Sequence, residues 1–165
     1  MKQTTVLDPN QLRQSMRAWS SGVTIVTAAT ANEEHGMTVS SFTSVALEPP
    51  LIIISLQTDS RTHDLVSQAN AFGVTILAQD QRELSERFAG HGSDEENRLA
   101  GVETETLVTG APFIMGGLAY LDCRVSQAIP VGTNTLFLAE VVAVRGDGGG
   151  QPLVYHDRQY RTLSG

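Results

Sequence analysis

The chain has 165 residues, of which 41% are hydrophobic and 18% charged, and its 18 acidic side chains outnumber 11 basic ones for a formal net charge of −7. That is enough for one domain with its own core and too apolar for disorder. The negative balance argues against nucleic acid or an anionic membrane as partner, since both reward a basic surface. The lone Cys123 excludes an internal disulfide and a thiolate metal cluster.

No run approaches the about 20 apolar residues of a membrane span, and MKQTTVLDPN has no apolar signal core, so the cytoplasm is the expected location. Asp8 can cap a helix, Pro9 suits its first turn, and Leu12, Met16 and Trp19 share a face, with Gly22 as the stop. Residues 23–28 (VTIVTA) read as a β-branched strand and 31–36 (ANEEHG) as a polar turn with His35 in solvent, joining a hairpin.

The stretch 36–56 (GMTVSSFTSVALEPPLIIISL) reads as two strands around a Glu48-Pro49-Pro50 break. The second is apolar until Ser55, as sheet packing requires. The first carries Thr38, Ser40, Ser41, Thr43 and Ser44, hydroxyls that need partners if buried. Two explanations stay open: a polar ligand held against the sheet, or an edge strand with one wet face.

Residues 57–62 (QTDSRT) form a polar loop opening a helix to about Asn70, capped by Ser60 or Thr62, with Leu65 and Val66 inward. Ser, Thr and Arg at a helix start suit a phosphate, and capping alone would also account for them. Residues 71–78 (AFGVTILA) form a further strand. Asp80 starts a second helix with Leu84 and Phe88 on one face, Gly90 as its stop, and Ser85 and Arg87 near its end. An acidic loop at 91–97 leads into a short helical piece at 95–99. Strands follow around 104–108, 117–126 and 135–145, the middle one holding Cys123 as a buried, inert thiol. After the glycine-rich turn 146–150, the tail 152–163 (PLVYHDRQYRTL) contains a possible last strand.

Six or more strands, two or three short helices and no regular β-α alternation indicate an antiparallel barrel with added helices, a single domain over 1–165. No GxGxxG between strand and helix, Walker loop, HExxH, paired-Cys motif or GxSxG elbow occurs. The histidines at 35, 63, 91 and 156 are dispersed, so neither a metal site nor an acid–base constellation is expected.

The ordered set WSSGVTIVT (19–27), GMTVSSFTSVALEPPLIIISL (36–56), SRT (60–62), FGVTILAQDQRELSERFAG (72–90), APFIMGGLAYLDC (111–123), LFLAEV (136–141) and PLVYHDRQY (152–160) resembles the short-chain flavin reductases. These belong to the FMN-binding split-barrel superfamily and supply reduced flavin to two-component monooxygenases. The similarity runs from about Leu12 to Tyr160. It implies a mostly β, six-stranded antiparallel split barrel with flanking short helices. It further implies a homodimer with one flavin, FMN or FAD, per subunit near the dimer interface.

By position, the resemblance implies that Thr38, Val39, Ser40 and Ser41 line the isoalloxazine and ribityl groups, with Ser55 and Leu56 opposite. Ser60, Arg61 and Thr62 would take the phosphate, assisted by Gln81, Ser85 and Arg87, while Thr75 and Ile76 offer backbone groups to the ring edge. NADH or NADPH would pass a hydride to the flavin without a protein acid or base, and the flavin would diffuse to a monooxygenase. Where the family usually has Gly-Asp-His, this chain has Gly132-Thr133-Asn134. Asn134 thus replaces a histidine associated with the nicotinamide pocket, leaving His156 and Tyr160 as further candidates to flank that ring. The replacement favours a second reading, a flavin carrier without reductase activity. A third, an oxidase of phosphorylated pyridoxamine, lacks a basic cluster for a second phosphate.

Overall fold

A computed structural model describes residues 6–90 and 97–164. Helix α1 (Pro9–Met16) begins as expected, the Asp8 carboxylate accepting from the Asn10 amide at 3.0 Å. It stops at Met16, and Gly22 belongs instead to a short strand, β1 (Ser21–Gly22). Leu12, Met16 and Trp19 are 55%, 54% and 71% exposed, so this chain leaves that apolar side of α1 uncovered.

Strands β2 (Thr24–Ala29) and β3 (Glu34–Val39) form the expected hairpin, in register from Thr24–Val39 to Ala29–Glu34. Because β3 starts before Gly36, His35 is not in solvent. It is 3% exposed, with Nδ1 2.8 Å from Thr62 Oγ1 on α2 (Arg61–Ala69). Gly36 allows this: an added Cβ would lie 2.9 Å from Thr27 Cγ2 and 3.0 Å from Phe88 Cε1.

The stretch 36–56 makes parts of three strands, not two: β3, β4 (Phe42–Leu47) and β5 (Pro50–Gln57). The others are β6 (Ala71–Ile76), β7 (Thr104–Glu105), β8 (Phe113–Ile114), β9 (Ala119–Val131), β10 (Asn134–Arg145), β11 (Val154–His156) and β12 (Gln159–Arg161). Seven of them form one antiparallel sheet in the order β3-β2-β6-β9-β10-β5-β4, one strand more than expected because the hydroxyl-rich run breaks at Ser40 and Ser41. Laid flat, six gaps of about 4.8 Å would put its edges about 29 Å apart. With two linking residues, the ends of β3 and β4 can stand at most about 11 Å apart. The sheet must therefore curl until β3 and β4 are close, and no ladder joins them among the described residues. This is a split barrel.

Strand β2 is buried on both faces. Val26 and Ala28 join Ile54, Leu65, Phe72 and Phe137, while Ile25, with Val23 just before the strand, joins Leu77, Ile114, Leu153 and Phe88 of α3 (Arg82–Phe88). Helix α3 starts after Asp80, with Gln81 at its N-cap, and Gly90 takes φ 80° beyond its end. The strand expected at 104–108 is cut short because the Val108 and Thr109 amides turn to the buried Asp122 carboxylate, at 2.6 and 2.8 Å. Cys123 beside it is fully buried, its thiol pushed up to about 12 by burial and by the Asp122 charge. The tail is a hairpin rather than one strand, β11 pairing with both β1 and β12. Residues 91–96, which hold most of the expected acidic loop and the start of the helical piece, lie outside the described residues.

Candidate functional site

Between the end of β3, helix α3 and the C-terminal hairpin, a hollow of about 250 Å³ is lined by Val23, Thr38, Ser40, Ser85, Ala89, Tyr155 and Tyr160. Strand β3 brings Thr38 against α3, where its hydroxyl donates to the Ser85 carbonyl at 2.6 Å. The Ser85 and Tyr160 hydroxyls are 2.7 Å apart, tying α3 to β12. Ser40 is exposed and its hydroxyl makes no hydrogen bond among the described residues.

Ala89 also lines a second hollow, about 230 Å³, with His35, Met37, Gln57, Asp59, Ser60, Arg61, Thr62, Phe88, Gly90 and Arg98. Here α2 begins: Ser60 caps it, Oγ accepting from the His63 amide at 3.2 Å and donating to the Gln57 carbonyl at 2.9 Å. Arg61 pairs with Glu33, and Thr62 is fully buried against His35. Arg98, 8% exposed, donates to the carbonyls of Gly36 at 3.1 Å and Phe88 at 3.2 Å. A helix N-terminus with two guanidinium groups is a fitting cradle for a phosphate in an otherwise acidic protein.

The remaining expected residues fall elsewhere or are engaged internally. Ser41 Oγ donates to the Ser55 carbonyl at 2.7 Å, and Asn134 Nδ2 donates to Ser55 Oγ at 2.9 Å, a cluster on the β5 side of the seam. Val39 and Leu56 are core residues, 4% and 1% exposed. Thr75 and Ile76 lie in β6, paired on both sides by β2 and β9, so their backbone is committed to the sheet and neither lines these hollows. Gln81 is a clamp, accepting from the Ala78 amide at 3.0 Å and donating to the Met115 carbonyl at 2.9 Å. Arg87 donates to the Ala100 carbonyl at 2.6 Å, and His156 Nδ1 lies 2.7 Å from Ser20 Oγ. His35, Arg98 and Tyr155 are lining residues that the sequence reading missed. The signal for His35 was Gly36, a glycine at a close approach; Arg98 follows the acidic run and carried none.

The flavin reductase like domain profile matches residues 16–164. The chain belongs to that family. It is 37% identical over 158 residues to an NADH-dependent flavin reductase of Rhodococcus sp., covering 94% of this chain and 86% of that one. It is 35% identical to the reductase component of an FADH(2)-dependent resorcinol hydroxylase of Rhizobium sp., over 92% of this chain and 86% of the relative. Among solved structures, an NADH:FAD oxidoreductase of Streptomyces globisporus in complex with NAD and FAD fragments superposes with a TM-score of 0.86 at 30% identity, covering 98% of each chain.

For a flavin reductase, the donor set fits. A flat ring needs an apolar wall with hydrogen-bonding edges, which Val23, Thr38, Ser40 and the two tyrosines supply. Among the described residues no group of three metal-ligating side chains gathers, and no helix is long and apolar enough to cross a membrane.

Proposed function

We propose that this protein is an NADH-dependent flavin reductase that delivers reduced flavin to a separate monooxygenase. The observation that carries the reading is the pair of hollows that share Ala89, one lined by hydroxyls where β3 ends against α3 and the C-terminal hairpin, and one by a helix N-terminus with Arg61 and Arg98. Thr38 and Ser40 would hold the ring and ribityl chain, with Ser41 and Ser55 across the seam. Ser60, Arg61 and Arg98 would hold the phosphate. Tyr160 would bound the nicotinamide.

Bound flavin would supply the redox chemistry, accepting hydride from NADH. The chain's own part is to press two rings together and exclude water. Ser85 does this indirectly, fixing Tyr160 by its hydroxyl and Thr38 by its carbonyl. Leu12, Met16 and Trp19, exposed on and just beyond α1, support a homodimer that would cover them. The reading places the protein in the cytoplasm, as a single domain.

NADH consumption followed with FMN, FAD and riboflavin in turn tests this. Turnover with a flavin is the expected result. Flavin binding by fluorescence quenching without NADH turnover would overturn it in favour of a carrier, the reading that Asn134 in place of the family's usual histidine favours.

A further inference from the structure

We propose that a third, arginine-rich hollow beside the C-terminal hairpin holds the adenosine diphosphate half of a dinucleotide, NADH in the reductase reading on which this rests. The hollow, about 790 Å³, is lined by Arg82, Glu86, Tyr155, Arg158, Gln159 and Tyr160. It shares Tyr155 and Tyr160 with the hydroxyl-lined hollow, so one extended ligand can occupy both. Arg161 lines a fourth recess that shares Arg82 and Tyr160. A protein of net charge −7 thus gathers guanidinium groups around one short hairpin.

These arginines differ in what they already hold. Arg82 pairs with Glu86 at 2.9 Å and stands 5.2 Å from the Tyr160 ring centroid. Arg17 pairs with Asp157 at 2.5 Å, and this hydrogen bond holds the Asp157 carboxyl below the usual carboxylate range. Arg158 and Arg161 form no ion pair among the described residues. Two unpaired guanidiniums match a diphosphate, and Tyr155, edge-packed on Tyr160 with centroids 5.4 Å apart, offers an aromatic face to adenine.

The backbone adds an independent observation. Asp157 and Arg158 form the hairpin turn at φ 49° and 62°, where Asn-Gly would sit without strain. A long side chain at positive φ is uncommon and is retained where surroundings or function require it. Arg17 pins Asp157, and nothing described pins Arg158. Arg158 itself lines the hollow.

The test is Arg158→Gly, which suits the backbone and removes the side chain with its guanidinium. NADH, FMN and FAD binding are titrated by fluorescence, and turnover is measured with NADH and with reduced nicotinamide mononucleotide, which lacks the adenosine half. Thermal stability should hold or rise, the NADH constant should weaken about tenfold, and FMN binding and the mononucleotide constant should not move. Weakened FAD binding with NADH unchanged would assign the same site to the flavin's adenosine diphosphate. Unchanged NADH and FAD binding would overturn the proposal. A wild-type protein that binds flavin without oxidising NADH would instead sink the reductase reading, leaving the binding titrations to judge this site.

Discussion

Inside the barrel, Thr24, Thr27 and Thr75 are at most 4% exposed, and each uses its hydroxyl on the chain's own backbone. Thr24 donates to the Val39 carbonyl at 2.6 Å, Thr27 to the Pro112 carbonyl, and Thr75 accepts from the Ile114 amide at 3.2 Å. At the seam, Ser40, Thr43 and Ser44 are exposed, and their hydroxyls make no hydrogen bond among the described residues. The same functional group thus serves two ends. Where water is excluded, a hydroxyl without a partner costs about 1–3 kcal/mol, so the fold must supply one. At the seam water satisfies it until a ligand does, so these hydroxyls contribute little to stability and are available for binding.

The sharpest break in that contrast comes from the interior. Asp122→Ala removes a fully buried carboxylate that serves two amides and the Thr109 hydroxyl, and should cost about 3 kcal/mol by urea unfolding. Flavin affinity of the folded fraction should be unchanged. Gly36→Ala couples the two regions. The added methyl pushes on Thr27 and Phe88, costing about 2 kcal/mol, and through Phe88 it should also weaken flavin binding, measured on the same samples.

A pH measurement sharpens the interior side. Below the ordinary value of 9.0, the Cys123 thiol is neutral in both folded and unfolded chains, so it adds no pH dependence. Above 9.0 the unfolded chain loses the proton while the folded one, raised to about 12, keeps it, so stability falls as pH rises through that window. One unit into it the loss should be about 1.4 kcal/mol, and Cys123→Ala should abolish that slope in unfolding curves taken across the range. The smallest effect belongs to the seam: Ser40→Ala should leave stability within about 0.5 kcal/mol and weaken flavin binding by about 1 kcal/mol. A large stability loss there would erase the distinction.

Much of the barrel was legible in the chain. The β-branched run of β2, the apolar β5 and the capped start of α2 obey short-range rules, and the order of motifs carried the family. What escaped were consequences of closure. The run from Thr38 to Ser44 reads as one strand because its composition is uniform, but its two halves pair at opposite ends of the sheet, which local pattern cannot express. His35 was read as exposed from its polar neighbours, whereas its burial depends on α2 packing across it. Leu12 and Met16 do share one face of a helix, which ends before Trp19, and the sequence says nothing of whether that face meets this chain or another. Arg98 is separated by 62 residues from the carbonyl of Gly36 that it meets, so its place in the site had no local signal.

The unpaired seam also bears on time rather than affinity. A ligand enclosed by a continuous ladder can leave only after several backbone hydrogen bonds open together, which slows escape. Here β3 and β4 share no such bonds among the described residues, and the tether at their near ends is Ser40 and Ser41 alone. Widening the gap costs contacts rather than paired amides. A flavin seated there would have a short residence time, as befits a carrier of electrons that must reach another protein before oxygen does.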